Sequence, residues 1–153
     1  MKTYSGQINS LNPNQVFCFG SNRRGAHGAG AALYARLNFG AVYGAVYGQA
    51  KGLQGQSYGI ITKDLSCNVH PSVSSSEIEA QVKELYRFAR ANPDKEFLIA
   101  YSGVGRNLNG YTNQEMAFLF DCEIIPENVV FEEKFAGLIL NHLNENNPYW
   151  FKK

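Results

Sequence analysis

The sequence predicts an α/β fold: one domain with a mainly parallel sheet covered by helices on both faces. Three observations predict it. Short apolar runs rich in strand formers alternate along the chain with stretches that are apolar at helical spacing, the order that builds parallel strands joined by helical crossovers. At 153 residues the chain has the length of a single domain, and it holds no internal repeat, low-complexity tract or linker. Its fifteen glycines cluster, most of them between Gly20 and Gly59, with three more at Gly103, Gly105 and Gly110. Clustered glycine marks backbone that must turn sharply or approach something closely.

The elements follow in order. Gln15-Val16-Phe17-Cys18-Phe19, bounded by Asn12-Pro13-Asn14 and by Gly20, reads as a buried strand. Residues from Ala29 to Asn38 favour a helix, and Gly40 after Phe39 can cap its end. Residues 41–57 are punctuated by glycine and fit either a short strand or a loop. Tyr58-Gly59-Ile60-Ile61-Thr62 reads as a second buried strand, followed by a polar loop over 63–75. Ser75 or Ser76 is expected to cap a helix carrying Ile78, Val82, Leu85, Tyr86 and Ala89 at helical spacing, ending before Pro93. Glu96 to Tyr101 is a third strand. Thr112 or Asn113 caps a short helix through Phe120, and Asn128-Val129-Val130-Phe131 is a fourth strand. A last helix runs from Glu132 to Asn144, ahead of an aromatic cluster at Tyr149-Trp150-Phe151.

Composition narrows the function classes. A hydrophobic fraction of 44% and a charged fraction of 18% are ordinary for a globular protein. No apolar run approaches the roughly 20 residues that span a bilayer, and Met1-Lys2-Thr3-Tyr4-Ser5-Gly6 is no secretory signal. A cytoplasmic protein without membrane partners is therefore expected. The net charge of +1 argues against a strong nonspecific hold on nucleic acid. Cys18, Cys67 and Cys122 are far apart and odd in number, which fits neither a disulfide framework nor a zinc site. No metal and no cofactor is expected.

The glycine loops carry the functional argument. Gly20-Ser21-Asn22-Arg23-Arg24-Gly25-Ala26-His27-Gly28-Ala29-Gly30 joins a strand to a helix. Glycines there let backbone N–H groups face a phosphate, and the helix N-terminus adds partial positive charge. No Walker-type GK[ST] follows, and Leu33 stands where a dinucleotide fingerprint needs glycine. Ser102-Gly103-Val104-Gly105-Arg106-Asn107 repeats the logic after another strand. Taken singly, each loop is also explained by tight packing. Two at the same sheet edge are what a diphosphate clamp requires, because α/β folds bind ligands beyond the carboxyl ends of their strands. Lys63-Asp64, after the second strand, adds a cation for phosphate or a nucleophile with a neighbouring base; a solvated ion pair is the competing explanation. His27, His70 and His142 form no triad with any serine, and no GxSxG elbow is present. Tyr4, Tyr43, Tyr47, Tyr58 and Tyr111 read as core or rim residues, any one of which could stack on an adenine ring.

The run Val16-Phe17-Cys18-Phe19-Gly20-Ser21-Asn22, then His27-Gly28-Ala29-Gly30-Ala31-Ala32 and Asn38-Phe39-Gly40-Ala41, resembles macrodomain-type proteins. Gly52-Leu53-Gln54-Gly55-Gln56-Ser57-Tyr58, Ile61-Thr62-Lys63-Asp64 and Ser102-Gly103-Val104-Gly105 with Asn109-Gly110-Tyr111-Thr112 extend the likeness in the same order over residues 15–135. The resemblance is greatest to the terminal ADP-ribose protein glycohydrolase branch and to small macro-like proteins of bacteria and phages. It implies a three-layer α/β/α sandwich with a mixed, mainly parallel sheet, and a site for ADP-ribose. Gly20, Ser21, Asn22, His27, Gly28, Ala29 and Gly30 with Ser102, Gly103, Val104, Gly105, Arg106 and Asn107 would hold the diphosphate and distal ribose, and the branch's catalytic lysine falls on Lys63. Its catalytic aspartate belongs near Arg106-Asn107, where this chain has no carboxylate; Asp64 is the residue assigned to stand in for it.

Three functions follow as expectations. The first is an ADP-ribose-binding protein that, if an enzyme, removes ADP-ribose from a modified protein or nucleic acid through Lys63. The second is a binder or sponge of an ADP-ribose-type signal without turnover. The third is a nucleic-acid-binding or structural protein on the same scaffold.

Overall fold

A computed structural model describes residues 1–24, 30–41, 52–101 and 107–146. Among these residues six strands and four helices follow in the order β1 (Lys2–Tyr4), β2 (Gln15–Asn22), α1 (Gly30–Asn38), β3 (Gly52–Gln54), β4 (Ser57–Lys63), α2 (Ser75–Ala91), β5 (Glu96–Ile99), α3 (Asn113–Phe120), β6 (Val129–Glu132) and α4 (Glu133–Asn146). The strands form one sheet in the order β1-β6-β5-β2-β4-β3. Every neighbouring pair is parallel except β3 with β4. The fold is thus α/β with a mixed, mainly parallel sheet.

Side chains alternate across the pleat and so supply two cores. Val16, Cys18, Phe97, Ile99, Val129 and Phe131 face α2, α3 and α4, where they meet Ile78, Val82, Leu85, Ala117, Phe135 and Ile139. Phe17, Phe19, Leu98 and Val130 face the other way, onto Ala32 and Ala35 of α1 and onto Ile8, Phe39 and Ala41. Three helices cover one face and α1 the other, which gives the three layers. The central strands are apolar on both sides for this reason.

Several boundaries differ from the sequence expectation. β2 continues through Gly20, Ser21 and Asn22, because β4 offers it a partner that far along. α2 is capped by Ser74 rather than Ser75 or Ser76: the Ser74 hydroxyl accepts from the Glu77 N–H at 3.2 Å. Thr112 caps α3 in a reciprocal box with Glu115. The third strand stops at Ile99, two residues short of Tyr101. Glu132 closes β6 rather than opening the last helix. β3 is the short strand that residues 41–57 left open, and β1, with three residues, carries too little pattern to be read from sequence.

Candidate functional site

All five parallel strands end on one edge of the sheet, and there a cavity of about 980 Å³ opens. Gly20, Ser21, Asn22, Lys63 and Asn107 all line it. The structure therefore brings together residues from the ends of β2 and β4 and from the connection after β5. Gly30 is the first residue of α1, whose Ala31 and Ala32 also line the cavity. His27, Gly28 and Ala29, like Ser102, Gly103, Val104, Gly105 and Arg106, lie outside the described residues, as does the aromatic cluster at Tyr149-Trp150-Phe151.

Local geometry explains the placement of Asn22 and Lys63. The β2–β4 register slips after Ser21, which pairs with Ile61, so that Asn22 lies opposite Lys63 and Thr62 is passed over. Such a bulge re-aims the side chains beyond it. The strands are close here: a Cβ on Gly20 would stand 3.0 Å from Thr62 Oγ1. Asn22 is buried, and its Oδ1 accepts from the Arg24 N–H at 3.1 Å. Asn107 donates through Nδ2 to the Tyr111 carbonyl at 2.9 Å and to Asn113 Oδ1 at 3.1 Å. That pins the last residue of the second loop against the start of α3.

Asp64 has a different environment. It does not line the cavity. Its Oδ1 accepts from the Ser66 N–H at 3.0 Å and the Ser66 hydroxyl at 2.6 Å, and its Oδ2 lies 3.4 Å from Arg23 Nε. Ser66 first, and Arg23 after it, hold the Asp64 carboxyl below the usual carboxylate range. Arg23 also grips Glu77 of α2 with two hydrogen bonds of 2.8 Å, a bidentate geometry. Arg23 thus ties the end of β2 to the loop after β4 and to α2.

The loop after β4 is fastened to the loop after β5. His70-Pro71, joined by a cis peptide, packs on Gly110, and the Tyr111 hydroxyl donates to the Val73 carbonyl at 2.7 Å. His70 Nδ1 is 2.7 Å from Ser72 Oγ, which accepts from the Asp64 N–H at 2.8 Å. Tyr58 and Tyr111 are buried, Tyr4 lines the cavity, and Tyr43 and Tyr47 lie outside the described residues. His142 pairs with Asp121 on the helical face of the molecule.

Two further lining residues carry no signal in the sequence pattern. Tyr101 after β5 and Glu132 of β6 stand along the same edge as Tyr4 of β1. Glu132 is a buried acid at a strand end, and only the pairing of β6 beside β5 and β1 brings it to the cavity. Cys18 also lines it, but burial pushes its thiol up, so it stays protonated and a poor nucleophile. A second depression of about 660 Å³ beside α2, lined by Lys83, Glu84 and Arg87 among others, is more open to solvent. Of these two, the strand-end cavity has the convergent polar groups from several elements.

Electrostatically the edge is polarised. Lys63 at the end of β4 supplies a cation, and Glu132 at the end of β6 supplies an enclosed carboxyl group with the exposed Lys134 at its rim. Three strand spacings of about 4.8 Å lie between them, roughly 14 Å in all. Such a cavity suits a ligand with a negative part and a neutral, hydrogen-bonding part. Compared with known proteins, the chain matches no family model, and no curated protein sequence matches it.

Proposed function

We propose that this protein binds ADP-ribose, or a related NAD-derived nucleotide, in the strand-end cavity. The observation that carries the reading is the bulge that sets Asn22 beside Lys63 at the carboxyl ends of adjacent parallel strands, next to the first turn of α1. A cation, a buried amide and a helix N-terminus are the groups a diphosphate needs. The macrodomain-like motifs in the sequence supply the ligand's identity. A cytoplasmic setting belongs to the same proposal.

Binding comes ahead of turnover. Lys63 lies in the cavity, where a neutral lysine amine can attack the anomeric carbon of a ribose as the bond from that carbon to the modified group breaks, or a lysine ammonium can stabilise the departing anion. Its neighbour Asp64 is engaged with Ser66 and Arg23. If the protein removes ADP-ribose from a macromolecule, Lys63 is the residue on which that activity rests.

Calorimetric titration with ADP-ribose, with ADP and NAD beside it, tests the reading. The expected outcome is selective binding of ADP-ribose at micromolar dissociation constant or tighter. Lys63→Ala should weaken it about tenfold, the worth of one charge-assisted contact. Absence of binding to all three nucleotides would remove the proposal.

A further inference from the structure

The cavity holds a carboxylate that the glycine loops and Lys63 do not account for. Glu132 ends β6 in register with Tyr4 of β1. It lines the cavity, yet is only 7% exposed. Its Oε2 accepts from the Lys134 N–H at 2.8 Å and the Phe135 N–H at 3.2 Å, in the first turn of α4. Those N–H groups have no helical partner, and their two hydrogen bonds fix the carboxyl group in place. Oε1 has no partner among the described residues.

The neighbours do not fill the gap. The Tyr4 hydroxyl donates to the Ile99 carbonyl at 2.6 Å. Burial first, and then the charge of Glu132, push the Tyr4 phenol up, so it keeps its proton. Lys134 is exposed at the rim, and among the described residues no ion pair joins it to Glu132. An enclosed carboxylate oxygen without a donor is costly. A ligand donor relieves that cost, and a ligand phosphate aggravates it.

We infer that Glu132 Oε1 receives a hydrogen bond from an uncharged donor on the nucleoside half of the ligand and thereby sets the ligand's direction in the cavity. Phosphates lie toward Lys63 and Asn22, and the nucleoside lies toward Glu132. The inference rests on the nucleotide reading above and adds its specificity determinant. A ribose hydroxyl and a base amino group are both neutral donors of the required kind, and the same acceptor serves either.

The test titrates the wild-type chain and Glu132→Gln with four ligands: ADP-ribose, its analogue lacking the adenosine 2′-hydroxyl, its analogue with a 6-oxo base, and the form phosphorylated at the adenosine 2′-hydroxyl. Glutamine keeps a carbonyl oxygen for the Lys134 and Phe135 amides, and an unchanged unfolding temperature checks that α4 remains capped. Glu132→Gln should weaken ADP-ribose binding about tenfold. The wild-type chain should lose a similar factor with whichever analogue lacks the donor, while the variant no longer separates that analogue from ADP-ribose. The 2′-phosphate should bind the wild type more weakly than ADP-ribose.

Equal binding of ADP-ribose by both chains overturns the inference and leaves the nucleotide reading standing. Wild-type failure to bind any of the four removes both. Tighter binding of the 2′-phosphate means that Lys134 governs this end of the cavity, and it too overturns the inference. Should Glu132→Gln not fold, the wild-type series decides alone: indifference to loss of either donor overturns it.

Discussion

Two glycines make opposite demands on a methyl group. Gly110 has φ +89, and a Cβ there would sit 2.5 Å from the backbone of His70 and Pro71. Gly110→Ala must both strain the backbone and push two loops apart, at a cost of about 2–4 kcal/mol. Gly137, inside α4, has open space where a Cβ would stand, with nothing within 4 Å. Gly137→Ala should stabilise by about 0.5–1 kcal/mol through the lower entropy of the unfolded chain and better helix propensity. Urea midpoints of the two variants against wild type check both signs. The sequence separates them only as a loop glycine and a helix glycine; the size of the difference lies in what each meets in space. Lys63, by contrast, was legible because a lysine directly after an apolar run reads as a strand-end cation. Glu132 was not, because a strand next to a helical stretch leaves open which of the two owns the residue between them.

At the scale of elements, α2 shows how a helix can complete a sheet. Gln81 is buried, and its side-chain amide imitates a neighbouring strand: Oε1 accepts from the Ile61 N–H at 2.7 Å, and Nε2 donates to the Ile61 carbonyl at 2.8 Å. Gln81→Leu keeps the apolar packing and orphans both backbone groups, at a cost of about 2–5 kcal/mol. A chemical unfolding curve shows the loss; a change under about 1 kcal/mol would mean that water replaces the amide. The apolar stripe of α2 was readable from the helical spacing of Ile78, Val82, Leu85, Tyr86 and Ala89, and Gln81 falls three residues after Ile78 on that same face. Its polarity concealed its role, not its position. The short edge strand β1 was hidden for another reason, since three residues show no period and its partner is distant in sequence, while β3 could be placed no closer than a strand or loop within 41–57.

For the molecule as a whole, acid is the condition that separates its charged contacts. Asp64 is held below its ordinary pKa by Ser66 and then Arg23, and Glu96 by Gln15 and then Lys2. A carboxyl whose folded pKa is depressed stabilises the fold fully above its unfolded pKa and loses that contribution as pH falls through the folded one. The unfolding temperature should therefore drop as pH falls below about 4. In an Asp64→Asn, Glu96→Gln double variant that part of the drop should be absent. Thermal scans by circular dichroism from neutral to acid pH read it directly; identical slopes for the two chains would show that other carboxyls govern. The layered α/β plan was legible in the alternation of apolar runs, and a cavity at the strand ends was to be expected from it. The order of the strands was not, because pairings between distant segments leave no local trace.

That order has a consequence for how the chain acquires its shape. Lys2 pairs with Val130 and Tyr4 with Glu132, so most of the chain lies between the partners of one ladder. Pairings of such long range are slow to form, and a chain made from its N-terminus presents its first strand long before the partner exists. The β2–β4–β5 centre can assemble earlier, while the edge carrying Tyr4 and Glu132 must await the synthesis of β6. The wall of the cavity that faces Lys63 is therefore born after the wall that carries Lys63 itself.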